Sequence, residues 1–98
     1  MDLALLYFDD CPNWHLLEGR LAQALAELGR DDVVECRQVT TAEQAEALRF
    51  RGSPTLLVDG RDPFADADAP VGLSCRVYRT AAGLGGSPTV EQLVDVLR

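Results

Sequence analysis

The chain begins with a short apolar run, Leu3-Ala4-Leu5-Leu6-Tyr7-Phe8, that stops at Asp9-Asp10. A run of this length favours a strand buried on both faces over a helix, so the chain is expected to enter its sheet at once. The period then changes. Leu17, Leu21, Ala24, Leu25 and Leu28 recur at helical spacing, with Glu18, Arg20, Gln23 and Glu27 around the rest of the cylinder. That pattern predicts an amphipathic helix from residue 13 to about 28, stopped by Gly29.

Residues 32–39 carry Val33, Val34, Cys36 and Val39 in an imperfect alternation that predicts a second strand. Thr41-Ala42-Glu43-Gln44 has the form of a capping box, with Thr40 and Glu43 offering a one-residue shift. It opens a short helix ending near Phe50, before Arg51-Gly52. Pro54-Thr55-Leu56-Leu57-Val58 predicts a third strand, closed by the turn pair Asp59-Gly60. Residues 61 to about 71, rich in Asp, Ala and Pro, predict a surface loop, and a fourth strand is expected around residues 73–79. After the irregular Gly83-Leu84-Gly85-Gly86, Ser87 as cap and Pro88 at the first helical position predict a final helix reaching Leu97.

The expected order is therefore β-α-β-α-β-β-α, with no internal repeat. A helix between the first two strands implies a parallel pair with a right-handed crossover, and the longer turn between the last two admits an antiparallel pair. The expected architecture is α/β, a central mixed four-stranded sheet flanked by helices.

With 98 residues, 47% of them hydrophobic, the chain has the size of one domain, residues 1–98. No apolar run approaches the roughly 18 residues of a membrane span, and no basic, apolar and small-residue leader pattern opens it, so a cytoplasmic protein is expected. Nine Arg, no Lys and sixteen acidic residues give a net charge of -7. That charge disfavours nucleic acid and anionic membranes as partners. The spacing of the acidic stretch from Asp59 to Asp68 lacks the Gly and terminal Glu of a calcium-binding EF-hand, and the stretch is expected to be a solvated loop.

Cys11, Cys36 and Cys75 are odd in number and widely spaced, unlike the dense even sets of secreted disulfide scaffolds. With no Cys-x-x-Cys pair and His15 as the only histidine, a four-ligand zinc site is not expected, nor is any cofactor. Within a strand, Cys36 is expected to serve as a small core hydrophobe. Cys11 differs, because Phe8-Asp9-Asp10-Cys11-Pro12-Asn13-Trp14 puts it where the first strand turns into the first helix. Free N–H groups and the positive end of the macrodipole favour a thiolate there, while Asp9 and Asp10 oppose one. Pro12 fits at or near the first helical position.

Cys11-Pro12-Asn13-Trp14 and Gly52-Ser53-Pro54-Thr55, together with the order of elements across nearly the whole chain, resemble the thioredoxin superfamily. The Cys11 motif is similar to that family's Cys-x-x-Cys loop, with Trp14 in place of the partner cysteine. The Pro54 motif resembles the segment whose cis-proline packs beside the active-site sulfur and presents backbone to the substrate. The resemblance implies a thioredoxin-like fold, Cys11 as nucleophile and Pro54 as a cis-proline. Ser53, Pro54 and Thr55 would orient the substrate, with Pro12 and Trp14 as further substrate-binding residues beside the sulfur. Where thioredoxins have Trp before the nucleophile this chain has Asp10, and the basic residue expected before a monothiol glutaredoxin's cysteine is missing.

Two neighbours are candidates to complete the chemistry. His15 lies one helical turn after Cys11. Cys75 follows the loop of residues 61–71, and pairing it with Cys11 requires Cα atoms within about 7 Å. The leading expectation is thiol–disulfide exchange, with Cys11 attacking a protein disulfide or accepting a low-molecular-weight thiol and Cys75 or an external thiol resolving the adduct. The alternatives are a non-catalytic binding domain on the same fold, and a soft-metal or organomercurial site built from Cys11 and Cys75.

Overall fold

A computed structural model of the chain describes residues 1–65 and 71–98. The opening apolar run becomes β1 (Leu3–Tyr7), the middle strand of a three-stranded mixed sheet. After the crossover helix α1 (Asn13–Glu27), β2 (Val34–Gln38) runs parallel to β1, with Leu5 beside Cys36. On the other side β3 (Thr55–Val58) runs antiparallel, with Leu5 beside Leu56. The central position of β1 explains its unbroken run, because Leu3 and Leu5 are buried on one face and Leu6 on the other.

Each face has its own core. Leu17, Leu21, Ala24 and Leu25 of α1 join Leu93 and Leu97 of α3 (Val90–Leu97) against Leu3, Leu5 and Leu56. On the opposite face α2 (Ala42–Leu48) supplies Ala45, which packs with Leu6, Val39 and Phe50. Arg30, in the connection after α1, grips Asp32 with both ends of its guanidinium and donates to the Leu97 carbonyl at the end of α3.

The turn at Asp59-Gly60 forms as expected. Both residues have positive φ, 52° and 82°, and Val58 and Arg61 exchange backbone hydrogen bonds of 2.7 and 3.0 Å across it. The α2 cap is split over two residues. Thr41 Oγ1 accepts from Gln44 N, while the Gln44 side chain accepts from Thr40 N and from the Thr40 hydroxyl. The start of α3 needs correction: Thr89, not Ser87, is the N-cap, and it shares a reciprocal capping box with Gln92.

Among the described residues the expected fourth strand of the central sheet is absent, and the central sheet has three strands. Regular pairing begins only at β4 (Tyr78–Thr80), and its partner is β5 (Gly83–Gly85) in a separate two-stranded antiparallel ribbon. Upstream, residue 75 makes one isolated parallel bridge to Ser53. The polarity of the segment explains the failure, since Arg76 is buried and Val77 is 63% exposed, the reverse of what sheet packing rewards. Cys36 is also corrected: it is exposed, because β2 is an edge strand and Glu35 to Gln38 all face solvent. The acidic loop is described as far as residue 65; residues 66–70, with Asp66 and Asp68, lie outside the described residues. Among the described residues no helix is long and apolar enough to cross a membrane.

The capping box carries a direct test. Thr89→Ala removes the side-chain acceptor for Gln92 N and is expected to destabilise the protein by about 1 kcal/mol. In a domain of this size that lowers the thermal midpoint by about 5 °C, measured by circular dichroism.

Candidate functional site

The site starts from a turn. Cys11 N donates to the Phe8 carbonyl at 3.0 Å, so the chain reverses over Phe8-Asp9-Asp10-Cys11 as it leaves β1, with both aspartates exposed. Pro12 then caps α1 from the αR region and is itself exposed. No side chain caps this helix start and no acidic residue lies in its first turn, so the positive end of the helix remains directed at the Cys11 turn. Cys11 itself is fully buried.

Opposite that turn lies the Pro54 motif. The Ser53–Pro54 peptide is cis, and Gly52, Ser53, Pro54 and Thr55 are all buried. Ser53 Oγ accepts from Phe8 N at 3.0 Å, which joins the motif to the end of β1, and the Ser53 carbonyl lies 3.5 Å from Cys11 Sγ. The backbone that was expected to orient a substrate already has a partner in this chain. Ser53 N donates to Ser74 O at 2.7 Å, and Arg76 N donates to Ser53 O at 2.8 Å. Gly72 N donates to Phe50 O at 3.0 Å, so residues 72–76 run alongside residues 50–53.

Cys75 is held between those two Ser53 contacts. Its Cα is 5.7 Å from that of Cys11, within the required reach, and the two form a disulfide across 64 positions of sequence. Cys75 is an exposed residue; Cys11 is not. Close approach depends on Gly52, which has φ +111°, and a Cβ there would lie 3.0 Å from Arg76 Cβ and 3.1 Å from Ser74 O.

A polar cluster missed in the sequence anchors the strap of residues 72–76. The Arg76 guanidinium pairs with Asp62 at 2.6 Å, donates to Thr55 Oγ1 at 3.2 Å and to the Phe64 carbonyl, and lies over the Tyr78 ring. Tyr78 donates its phenol to the Pro54 carbonyl and meets Phe64 edge-on, and burial pushes its ionisation far above the ordinary tyrosine range. Thr55 is thus a support, with its hydroxyl donating to Gly52 O at 2.7 Å. The signal was present in the two-residue phase of Arg76 and Tyr78, which puts both on one side of an extended chain.

Trp14, half-buried, stacks on Tyr7 at 4.3 Å between ring centroids and carries exposed His15 on its other contact at 3.7 Å. His15 therefore packs on Trp14. Asn13 sits against Gly86, where a Cβ would overlap its side chain. Cys36, the free thiol, donates to Glu18 at 3.5 Å, and partial burial together with that carboxylate raises its pKa. A groove of about 470 Å³ lies elsewhere, lined in part by Asp2, Val33, Glu35 and Arg37, and contains no cysteine. Among the described residues no cluster of three or more His, Cys, Asp and Glu side chains is arranged to hold a metal. Comparison with protein-family models, with curated proteins and with solved structures returns no match.

Two outcomes follow from this geometry. Gly52→Ala is expected to cost about 2 kcal/mol, from backbone strain and displacement of the strap. Urea titration of the oxidised and reduced proteins should show the larger loss in the oxidised form, in which the strap is pinned. Alkylation of Cys36 should follow an apparent pKa above the usual thiol value of about 8.5, and Glu18→Gln should lower it. The rate of iodoacetamide labelling against pH, read by mass spectrometry on the Cys36 peptide, checks both statements.

Proposed function

We propose that the protein is a thiol–disulfide redox protein whose exchanging pair is Cys11 and Cys75, acting on a protein disulfide or a low-molecular-weight thiol. One observation carries the reading: two cysteines 64 positions apart are joined directly beside the cis Ser53–Pro54 peptide, at the start of α1. Cys75 would supply the function of the partner cysteine that Cys11-Pro12-Asn13-Trp14 lacks. The same arrangement supports a thioredoxin-like relationship, with a parallel β1-α1-β2 unit, a cysteine at the start of α1 and a cis-proline opposite it. In a cytoplasmic setting, where thiols are kept reduced, a disulfide of this kind is transient and catalytic.

The overall exchange is balanced. Two substrate thiols lose two electrons and two protons and become a disulfide, while the Cys11–Cys75 bond is reduced to two thiols; the reverse reaction reduces a substrate disulfide. An alternative reading, a binding domain stapled by a permanent disulfide, is favoured by the burial of Cys11. In the chain-entropy account a crosslink closing a loop of this length contributes about 4 kcal/mol.

Equilibration of the Cys36→Ser protein with glutathione buffers of graded potential, followed by acid quenching and alkylation, separates the two readings. Under the redox reading the pair titrates reversibly as one two-electron couple, the reduced protein stays folded, and Cys11→Ser abolishes reduction of a model protein disulfide. A pair that stays oxidised across the glutathione range, or a chain that unfolds when reduced, removes the redox reading in favour of the staple.

A further inference from the structure

We infer that exchange enters and leaves through Cys75, with buried Cys11 as the leaving and resolving thiol. The inference rests on the redox reading and assigns the two sulfurs the reverse of the roles expected from the Cys11-Pro12-Asn13-Trp14 motif. Two features point the same way.

The first is access. Displacement at a disulfide needs an incoming thiolate to reach one sulfur along the S–S axis from the side away from the other. Cys11 is fully buried beneath the Phe8–Cys11 turn and the Ser53 peptide, whereas Cys75 belongs to an exposed stretch with Ser74. The second is the leaving group. Negative charge released on Cys11 develops at the start of α1, which no described side chain caps, so the helix dipole favours it there against the opposing charge of the exposed Asp9 and Asp10. Cys75 reaches that helix start only through its bond to Cys11, on a segment that belongs to no helix. The backbone of Ser53 fixes this arrangement by holding residues 74 and 76, with Cys75 between them as the connection to Cys11.

Atoms and electrons balance at each step. A substrate thiolate attacks Cys75 Sγ; the new sulfur–sulfur bond forms as the Cys75–Cys11 bond breaks, and the electron pair leaves on Cys11. The Cys11 thiolate takes up a proton and can then donate to the Ser53 carbonyl, which already lies 3.5 Å from its sulfur. Another substrate thiolate attacks the substrate sulfur of the mixed disulfide, releasing a substrate disulfide and the Cys75 thiolate. In the reducing direction the Cys75 thiolate attacks the substrate disulfide and expels one substrate thiolate; the Cys11 thiolate then attacks Cys75 Sγ, re-forming the Cys11–Cys75 bond as the mixed disulfide breaks and the second substrate thiolate leaves.

The test uses the Cys36→Ser protein, so that the exposed third thiol does not compete. The oxidised protein is mixed with reduced glutathione, quenched in acid at short times and mapped by mass spectrometry. The adduct is expected on Cys75, in excess over Cys11 by about tenfold or more. In the same background Cys11→Ser should accumulate the Cys75–glutathione adduct from oxidised glutathione, while Cys75→Ser should react about tenfold more slowly at Cys11. Partial alkylation of the fully reduced protein, which needs no change at either cysteine, should modify Cys75 first. Adduct or alkylation predominantly at Cys11 overturns the assignment and leaves the redox reading standing. No adduct at either cysteine, with the disulfide intact, overturns both.

Discussion

Cys11 and Cys75 stand 64 positions apart and neither belongs to a strand of the central sheet; what brings their segments together is the single residue Ser53. Its hydroxyl accepts from Phe8 N at the end of β1, and its N–H and carbonyl clasp residues 74 and 76. The turn that carries Cys11 and the strap that carries Cys75 are thereby positioned by one peptide. The crosslink forms between segments already in register, so part of the ordering entropy of a long loop is offset by hydrogen bonds that do not depend on it.

The same peptide explains why the strap never becomes a strand of the main sheet. Beyond Ser53 comes Pro54, which has no N–H, and its carbonyl is occupied by the Tyr78 phenol. The ladder therefore stops after one bridge, and the chain moves on to make the β4–β5 ribbon. In place of a ladder the strap is held by the Arg76 cluster. Burying that guanidinium costs desolvation, offset by Asp62, Thr55 and the Phe64 carbonyl, so the cluster adds little net stability but accepts very few geometries. Such an anchor fixes the register of Cys75 more than it strengthens the fold.

Much of the scaffold was legible because hydrophobic period and position in the sheet agreed. The run from Leu3 to Phe8 and the Leu17-Leu21-Ala24-Leu25 stripe each admit one solution, and the turn at Asp59-Gly60 follows from backbone chemistry alone. Cys36 was misplaced because alternation does not distinguish an edge strand from a central one; the neighbours Glu35 and Arg37 satisfy each other on the surface and leave the thiol outside. Ser87 was misread as a cap because Thr89 has the Gln92 partner that closes a reciprocal box, whereas the Ser87 hydroxyl donates to the Pro88 carbonyl. The Arg76 cluster was hidden for a deeper reason. A buried arginine is tolerated only by partners that tertiary structure brings together, and Asp62 and Phe64 lie more than ten positions away.

Trp14 shows how the site differs from one organised around a Cys-x-x-Cys turn. A partner cysteine at that position would come from the first turn of α1, directly after the turn that carries Cys11. Here the position is filled by a ring that stacks on Tyr7 of β1 and on His15 and serves the helix–sheet packing. The partner sulfur arrives instead on a separate strap, from the solvent side. When both thiols lie on one turn, the outer one is the more accessible and the fold has little freedom to alter that. When the partner thiol is carried by a strap, the element on the outside is the strap, and the cysteine at the helix start lies beneath it. The Trp14 ring at that position and the exposure of Cys75 are therefore two aspects of one arrangement, in which the cysteine that precedes the helix start is also the one buried from solvent.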